Sequence, residues 1–206
     1  MSCITTLTAL RELYTPVNPR SALKELPQLD EHAKRLISLS PFVVISSYGA
    51  DGRADTSPRG GDAGFVKALG SETLLIADSP GNNRLDSLEN IIATGQVGLL
   101  FMVPGMDETL RVNGTAVLST DESERKLCED SRRVPPLVIR VSVHASYLHC
   151  AKALMRSDLW NADKHIDRSK LPSMGEMMHD QLAGKISPDT AVETQAQMLV
   201  RYQQTL

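Results

Sequence analysis

The sequence predicts a mainly β domain, an antiparallel barrel with helices at its edges. At least six short segments are apolar runs or alternate between apolar and polar residues, as buried and half-buried strands do. The turn Gly49-Ala50-Asp51-Gly52 is so tight that the strands flanking it must be antiparallel. The sequence contains neither a strand-GxGxxG-helix fingerprint nor a phosphate-binding P-loop, so it offers no sign of a nucleotide-binding α/β domain.

Composition narrows the class of protein further. A chain of 206 residues with 41% apolar and 23% charged residues suits one globular domain with a sizeable core. A net charge of −3 gives no reason to expect nucleic acid or a membrane surface as a partner. No apolar run is long enough to cross a bilayer, the N-terminus lacks signal-peptide features, and three cysteines form no framework. We therefore expect a cytoplasmic protein with reduced thiols.

The N-terminal third is predicted to pass from short helices to a hairpin. Thr6 to Tyr14 can form a short helix, and Asp30 can cap a second one over Glu31 to Leu39. Phe42 to Tyr48 has the β-branched and aromatic content of a strand, and Arg53 to Ser57 returns as its antiparallel partner.

The central stretch alternates strand, helix and strand. Leu74 to Ala77 is a buried strand, and apolar residues at helical spacing predict a helix over Arg84 to Thr94 that Gly95 ends. Further elements are predicted in chain order: strands over Val97 to Val103, Thr109 to Ser119 and Leu137 to Val143, and helices over Asp121 to Asp130 and Pro188 to Gln204. Alternation along Thr109 to Ser119 places Arg111 and Asn113 together on the face opposite the core.

Two positions offer donors for an anion. Asn82, Asn83 and Arg84 stand at the predicted start of a helix, where backbone N–H groups and the helix dipole favour negative charge. The alternative is a capped loop with a surface arginine. Arg59, held between Pro58 and Gly60, is either a phosphate clamp or a turn arginine in solvent.

Metal binding is not expected. His144, His149 and Cys150 are too few for a closed structural zinc site, and no CxxC or HExxH spacing accompanies them. His149 is either a proton donor beside a substrate or a hydrogen-bonded core histidine.

Four segments in order carry a resemblance to a known family. They are Thr56-Ser57-Pro58-Arg59-Gly60, NNRLDSLENII followed by GQVGLLF, Leu110-Arg111-Val112-Asn113-Gly114-Thr115-Ala116, and Tyr147-Leu148-His149-Cys150-Ala151-Lys152-Ala153-Leu154. Over about Pro41 to Trp160 the chain resembles the pyridoxamine 5'-phosphate oxidase-like, FMN-binding split-barrel family. It is most similar to a branch of small flavoproteins described only as oxidase-related.

The resemblance implies a split β-barrel that forms a homodimer with FMN at the interface. We then expect a single domain over residues 1–206, with N-terminal helices in 1–40, a split-barrel core in 41–147 and a C-terminal helical extension in 148–206. The residues expected to hold FMN are Arg59, Asn82, Asn83, Arg84, Arg111 and Lys152. His149 is the candidate catalytic residue.

The implied function is that of an FMN-dependent oxidoreductase acting on a small molecule. The arginine-histidine substrate motif of the true pyridoxamine phosphate oxidases is missing after Trp160, so the substrate stays open. Two alternatives remain: a non-catalytic flavin-binding or sensor protein, and a split barrel that binds haem or a deazaflavin. The absence of a GxSxG elbow agrees with chemistry performed by a cofactor.

Overall fold

A computed structural model describes residues 3–185, 187 and 191–204, and within them seven strands form one antiparallel sheet. The strands are β1 (Phe42–Tyr48), β2 (Ala54–Gly60), β3 (Lys67–Leu69), β4 (Thr73–Ala77), β5 (Gln96–Met102), β6 (Thr109–Ser119) and β7 (Val138–His149). Their order across the sheet is β2-β1-β5-β6-β7-β4-β3. Every neighbouring pair is antiparallel, which confirms the predicted antiparallel sheet with helical additions.

Helices precede, interrupt and follow the sheet. They are α1 (Leu7–Arg11), α2 (Pro19–Leu23), α3 (Glu31–Leu39), α4 (Asp86–Thr94), α5 (Glu122–Leu127), α6 (Lys152–Ser157), α7 (Met174–Gln181) and α8 (Gln195–Gln203). The predicted cap of α3 is confirmed, because the Asp30 carboxylate accepts a 2.7 Å hydrogen bond from the Ala33 N–H. In the part of the chain that the structure describes, no helix is both long and apolar enough to cross a membrane.

Several predicted boundaries differ from the structure, including those of α1, α5 and β2, and three further differences concern α4, β7 and α8. The helix expected from Arg84 begins at Asp86, because Asn83 and Leu85 have φ values of 57° and 61° that no α-helix accommodates. The strand expected over 137–143 continues to His149, because a register shift at Asn113/Gly114 lets β7 keep pairing with β6. The terminal helix covers only Gln195–Gln203, and residues 188–190 of that prediction lie outside the described residues.

By its internal contacts the chain divides into two compact units, Met1–Trp160 and Asn161–Leu206. The first unit contains the sheet and its core. Its largest fully buried side chains are those of Phe101, Leu29, Ile37, Ile45, Leu74, Leu75, Ile76, Leu99, Leu110 and Ile139. The second unit contains α7 and α8, and each of these helices begins with a capping box.

A layer of polar contacts fixes α4 against the first hairpin. The buried Ser87 hydroxyl donates to Asp55 Oδ2 over 2.7 Å, and the Asn90 amide donates to Ser47 Oγ over 3.1 Å. On its other side α4 buries Leu88 and Ile91 in the core. Because both sets of contacts must be satisfied together, the start of α4 is held beside β2, the strand that carries Arg59.

Candidate functional site

A cavity of about 360 Å³ lies at the start of α4, and we call it the α4 cavity. Its lining comes from β2, the loop between β4 and α4, and the segment before β7. The cavity brings together Arg59, Asn82, Asn83 and Arg84, which sequence reasoning proposed as cofactor ligands. Asp78 and Arg133 line the same cavity and were not proposed.

Arg59 is half-buried, and its positive charge is only loosely paired with a carboxylate. The side chain is 21% exposed, and its Nη1 atom lies 4.0 Å from Asp78 Oδ1, beyond hydrogen-bond distance. Its Nε atom is buried without a partner among the described residues. Burial raises the pKa of Asp78, while the charges of Arg59 and Arg133 act in the opposite direction. Arg59 therefore keeps guanidinium donors free for an anion.

The loop before α4 lines the cavity and contains two residues with a left-handed backbone. The side-chain Oδ1 atom of Asn82 accepts a 3.0 Å hydrogen bond from the backbone N–H of Arg84, and the backbone of Asn83 is left-handed. Leu85 occupies the cap position of α4 in a left-handed conformation and supplies no capping side chain. That conformation costs a leucine roughly 1–2 kcal/mol, and it leaves the first N–H groups of α4 without a side-chain acceptor.

Arg84 differs from Arg59, because its guanidinium is already paired. Its Nε and Nη2 atoms donate to the two carboxylate oxygens of Asp86 over 2.7 and 3.3 Å. Those hydrogen bonds lower the pKa of Asp86. The Arg84 side chain is 71% exposed, so the pair lies in solvent at the rim of the cavity.

Arg111 and His149 meet at a different place, on β6 and β7. Arg111 stands directly opposite Tyr147 in the register, and its guanidinium carbon lies 4.2 Å from the centre of the Tyr147 ring. The His149 ring, two residues further along the same face, is 5.0 Å from that of Tyr147. Lys24 completes the group, with Nζ 4.8 Å from the ring centre. We call Lys24, Arg111, Tyr147 and His149 the basic cluster.

The α4 cavity and the basic cluster lie on opposite faces of the sheet. Arg59 pairs with Val43, whereas Arg111 is in register with Leu100 and, through it, with Val44. Adjacent residues of a strand point to opposite faces, so Arg59 shares the face of the buried Val43 and Arg111 shares the other. The strand order separates them by three strand spacings, roughly 14 Å.

Lys152 joins neither group. It is exposed at the start of α6 and does not line the α4 cavity. A second, more open cavity of about 280 Å³ includes Asn113 and His144. There the His144 Nε2 atom lies 3.3 Å from Thr115 Oγ1. Across the described ranges, no group of three or more His, Cys, Asp or Glu side chains could hold a metal ion.

Sequence reasoning missed four residues of the two groups: Asp78, Arg133, Tyr147 and Lys24. A strand extended to His149 would have placed Tyr147 and His149 on one face, so alternation was a usable signal there. Lys24 offers no such signal, because its position depends on a long-range pairing. The Leu26 N–H donates to the Ser146 carbonyl over 3.0 Å, and Lys24 Nζ donates to the Leu148 carbonyl over 3.0 Å.

Several solved structures are similar to the chain at low identity. HupZ of group A Streptococcus is 18% identical, with a TM-score of 0.49 over 58% of this chain and 98% of its own. A Lactobacillus delbrueckii protein provisionally assigned as a pyridoxamine 5'-phosphate oxidase is 21% identical, with a TM-score of 0.47 over 61% and 99%. The FAD binding protein from Mycobacterium smegmatis is 13% identical, with a TM-score of 0.41 over 60% and 98%.

The similarity to these structures concerns the fold alone, whereas a match in sequence identifies the family. No curated protein is significantly similar to the chain. Residues 29–150, more than half of the chain, match the family described as pyridoxamine 5'-phosphate oxidase. That range contains β1 to β7 together with Arg59 and Arg111. The chain therefore belongs to the pyridoxamine 5'-phosphate oxidase family and has its split-barrel fold.

Proposed function

We propose that the chain binds FMN with its phosphate in the α4 cavity and acts as an FMN-dependent oxidoreductase on a small molecule. One observation carries the proposal. A half-buried arginine with free donors faces the uncapped start of a helix in a member of this family. Both features favour an anion, and FMN ends in a phosphate that is close to a dianion at neutral pH.

The donor set fits that phosphate. The guanidinium of Arg59, the side-chain amide of Asn83 and the first N–H groups of α4 supply charge-assisted and neutral donors to one anion. The guanidinium of Arg84 is already paired with Asp86, so we do not count it among these donors. A cavity of about 360 Å³ is near the lower end of the roughly 300–1,000 Å³ typical of ligand pockets. It would hold the phosphate and part of the ribityl chain, with the ring outside.

The oxidoreductase part of the proposal uses the chemistry that bound FMN supplies, the transfer of a hydride or of electrons. The chain itself would bind the phosphate through Arg59 and orient the flavin from the start of α4. A positive side chain near the ring raises its redox potential, and Arg111 is the candidate for that role.

We also propose a homodimer, because Arg59 and Arg111 occupy opposite faces of one sheet. A flavin anchored by Arg59 of one chain reaches Arg111 most directly on a second copy. The face that carries Arg111 also presents half-buried apolar side chains, those of Phe42, Val44, Leu100 and Met102. A second copy would cover them.

Removal of the Arg59 charge tests the cofactor assignment. Arg59→Met should weaken FMN binding by about tenfold or more, because a hydrogen bond to a charged group contributes roughly 1.5–3 kcal/mol. The measurement is a titration of flavin-free protein followed by absorption and flavin fluorescence. Arg53→Met is the matched control, since Arg53 precedes the same strand and pairs with Asp51 in solvent. Wild-type affinity in Arg59→Met, or a protein that binds no FMN, would overturn the assignment.

Turnover separates an enzyme from a flavin-binding sensor. The loaded protein should oxidise NAD(P)H or a reduced amine faster than free FMN at the same concentration. Extraction of the cofactor and measurement of its mass identify haem or a deazaflavin if either takes the place of FMN.

A further inference from the structure

We propose that the basic cluster is an anion-binding site that takes the carboxylate or phosphate group of a small molecule. Its identification as the substrate site rests on the proposed function, whereas anion binding itself does not. The site is separate from the α4 cavity, so the substrate would carry an anionic group of its own.

Backbone pairing brings the cluster together. Arg111 and Tyr147 oppose each other across β6 and β7, and alternation places His149 beside Tyr147. Two hydrogen bonds join Leu26 and Ser146, and the Ser146 hydroxyl donates to the Gln28 carbonyl over 2.8 Å. This pairing fixes the N-terminal segment along β7 and sets Lys24 next to the Tyr147 ring.

The cluster concentrates positive charge without a counter-ion. Among the described residues, Lys24, Arg111 and His149 form no ion pair with a carboxylate, and the Arg111 guanidinium donates no hydrogen bond. The Arg111 Nε atom is buried with its donor unused. An unpaired, partly desolvated guanidinium is costly, and a bound anion would compensate that cost.

The pKa of His149 depends on the positive charges of the same cluster. Burial lowers its pKa, and the neighbouring charges of Arg111 and Lys24 lower it further. The ring is therefore neutral at pH 7 and can donate one hydrogen bond to an anion. An anion in the cluster would offset Arg111 and Lys24, and so the pKa of His149 must rise when the site fills.

The test follows the His149 ring by NMR through a pH titration, with its signal assigned by comparison with His149→Gln. The probes are inorganic phosphate and acetate, added to flavin-free and to FMN-loaded full-length protein. We expect a saturable rise in the pKa of His149 with at least one probe. The probe that binds more tightly identifies the class of anion. Arg59→Met should leave this response intact, since Arg59 lies on the other face of the sheet.

Arg111→Met and Lys24→Met should each raise the probe concentration that half-saturates the shift in the His149 pKa by about fivefold or more. Arg53→Met should not change that concentration. Lys24 is exposed, so its variant keeps the test valid if Arg111→Met does not fold. No movement of the His149 pKa, or equal movement in Lys24→Met, would overturn the proposal. Loss of the phosphate response when FMN is bound would assign the cluster to the flavin and overturn its role as a substrate site.

Failure of the proposed function gives a different result. If the protein does not bind FMN but shows the Lys24-dependent rise in the pKa of His149, the anion site is supported and the oxidoreductase assignment is overturned. If the protein binds FMN through Arg59 but the pKa of His149 does not rise, the cofactor assignment is supported and the anion site is overturned.

Discussion

Two arginines of this chain share an unusual environment. Arg59 and Arg111 each bury a guanidinium Nε atom that has no partner among the residues described. Buried polar groups are nearly always hydrogen-bonded, so a buried Nε atom without a partner requires a physical explanation. We propose a phosphate in the α4 cavity as the explanation for Arg59, and an anion at the basic cluster as the explanation for Arg111.

Asp78 is the carboxylate closest to the Arg59 charge, and it should oppose a phosphate in the same cavity. We predict that Asp78→Asn binds FMN about tenfold more tightly, the equivalent of ~1.4 kcal/mol. Burial raises the pKa of Asp78 in the wild type. The advantage of the variant should therefore shrink as the pH falls through that raised pKa, because a protonated aspartate is neutral like asparagine. Flavin fluorescence titrations at several pH values measure both effects.

Glu12→Gln is the control for Asp78→Asn, since it removes an equal charge from an exposed position outside the cavity. Equal affinities of Asp78→Asn and the wild type for FMN at neutral pH would contradict the prediction. They would mean that no anion approaches Asp78.

At the scale of elements, the β6–β7 pair positions the basic cluster. The register of the β6–β7 pair shifts at Asn113/Gly114, and pairing continues beyond the shift with Arg111 opposite Tyr147. At Gly114 the backbone comes so close to the Ser142 carbonyl oxygen that a Cβ atom would overlap it. The glycine in Leu110 to Ala116 is therefore a packing requirement of the bulge.

Gly114→Ala should destabilise the protein by about 2 kcal/mol or more, because backbone atoms must move to admit the methyl group. Gly98→Ala on the neighbouring strand is the matched control. There the nearest atom to a new Cβ is Asn113 Oδ1 at 3.6 Å, an ordinary contact. Chemical unfolding of both variants measures the difference, and equal free energies of unfolding would show that the bulge relaxes at no cost.

At the scale of the whole molecule, we predict a dimer that forms through the face of the sheet that carries Arg111. The face of the sheet that carries Arg111 also carries Val44 and Leu100, which lie in register with it. We predict that Val44→Glu converts a dimer to a monomer, because an unpaired carboxylate is costly in an apolar interface. Size-exclusion chromatography with light scattering gives the mass, and FMN affinity should fall in parallel.

Ile92→Glu is the control for the interface, since Ile92 on α4 is 76% exposed and an added charge there stays in solvent. Thermal unfolding of both variants shows whether the fold is kept. A wild-type protein that elutes as a monomer with FMN bound would contradict the dimer.

The candidate site was predictable where its residues are close in sequence. Asn82, Asn83 and Arg84 form one loop, and Arg59 precedes a glycine pair on a hairpin strand, so local signals sufficed. The left-handed backbone of Asn83 and Leu85 was not predictable, because neither asparagine nor leucine requires a positive φ value.

The sequence by itself determined the antiparallel strands, the cap of α3 at Asp30, the Gly95 end of α4 and the face shared by Arg111 and Asn113. Those features follow from periodicity and from residues that choose their own backbone conformation. Only the tertiary structure decided that Arg59 and Arg111 lie on opposite faces and that Lys24 reaches Tyr147. Both depend on register and on pairing between distant segments, which side-chain alternation within one segment cannot specify.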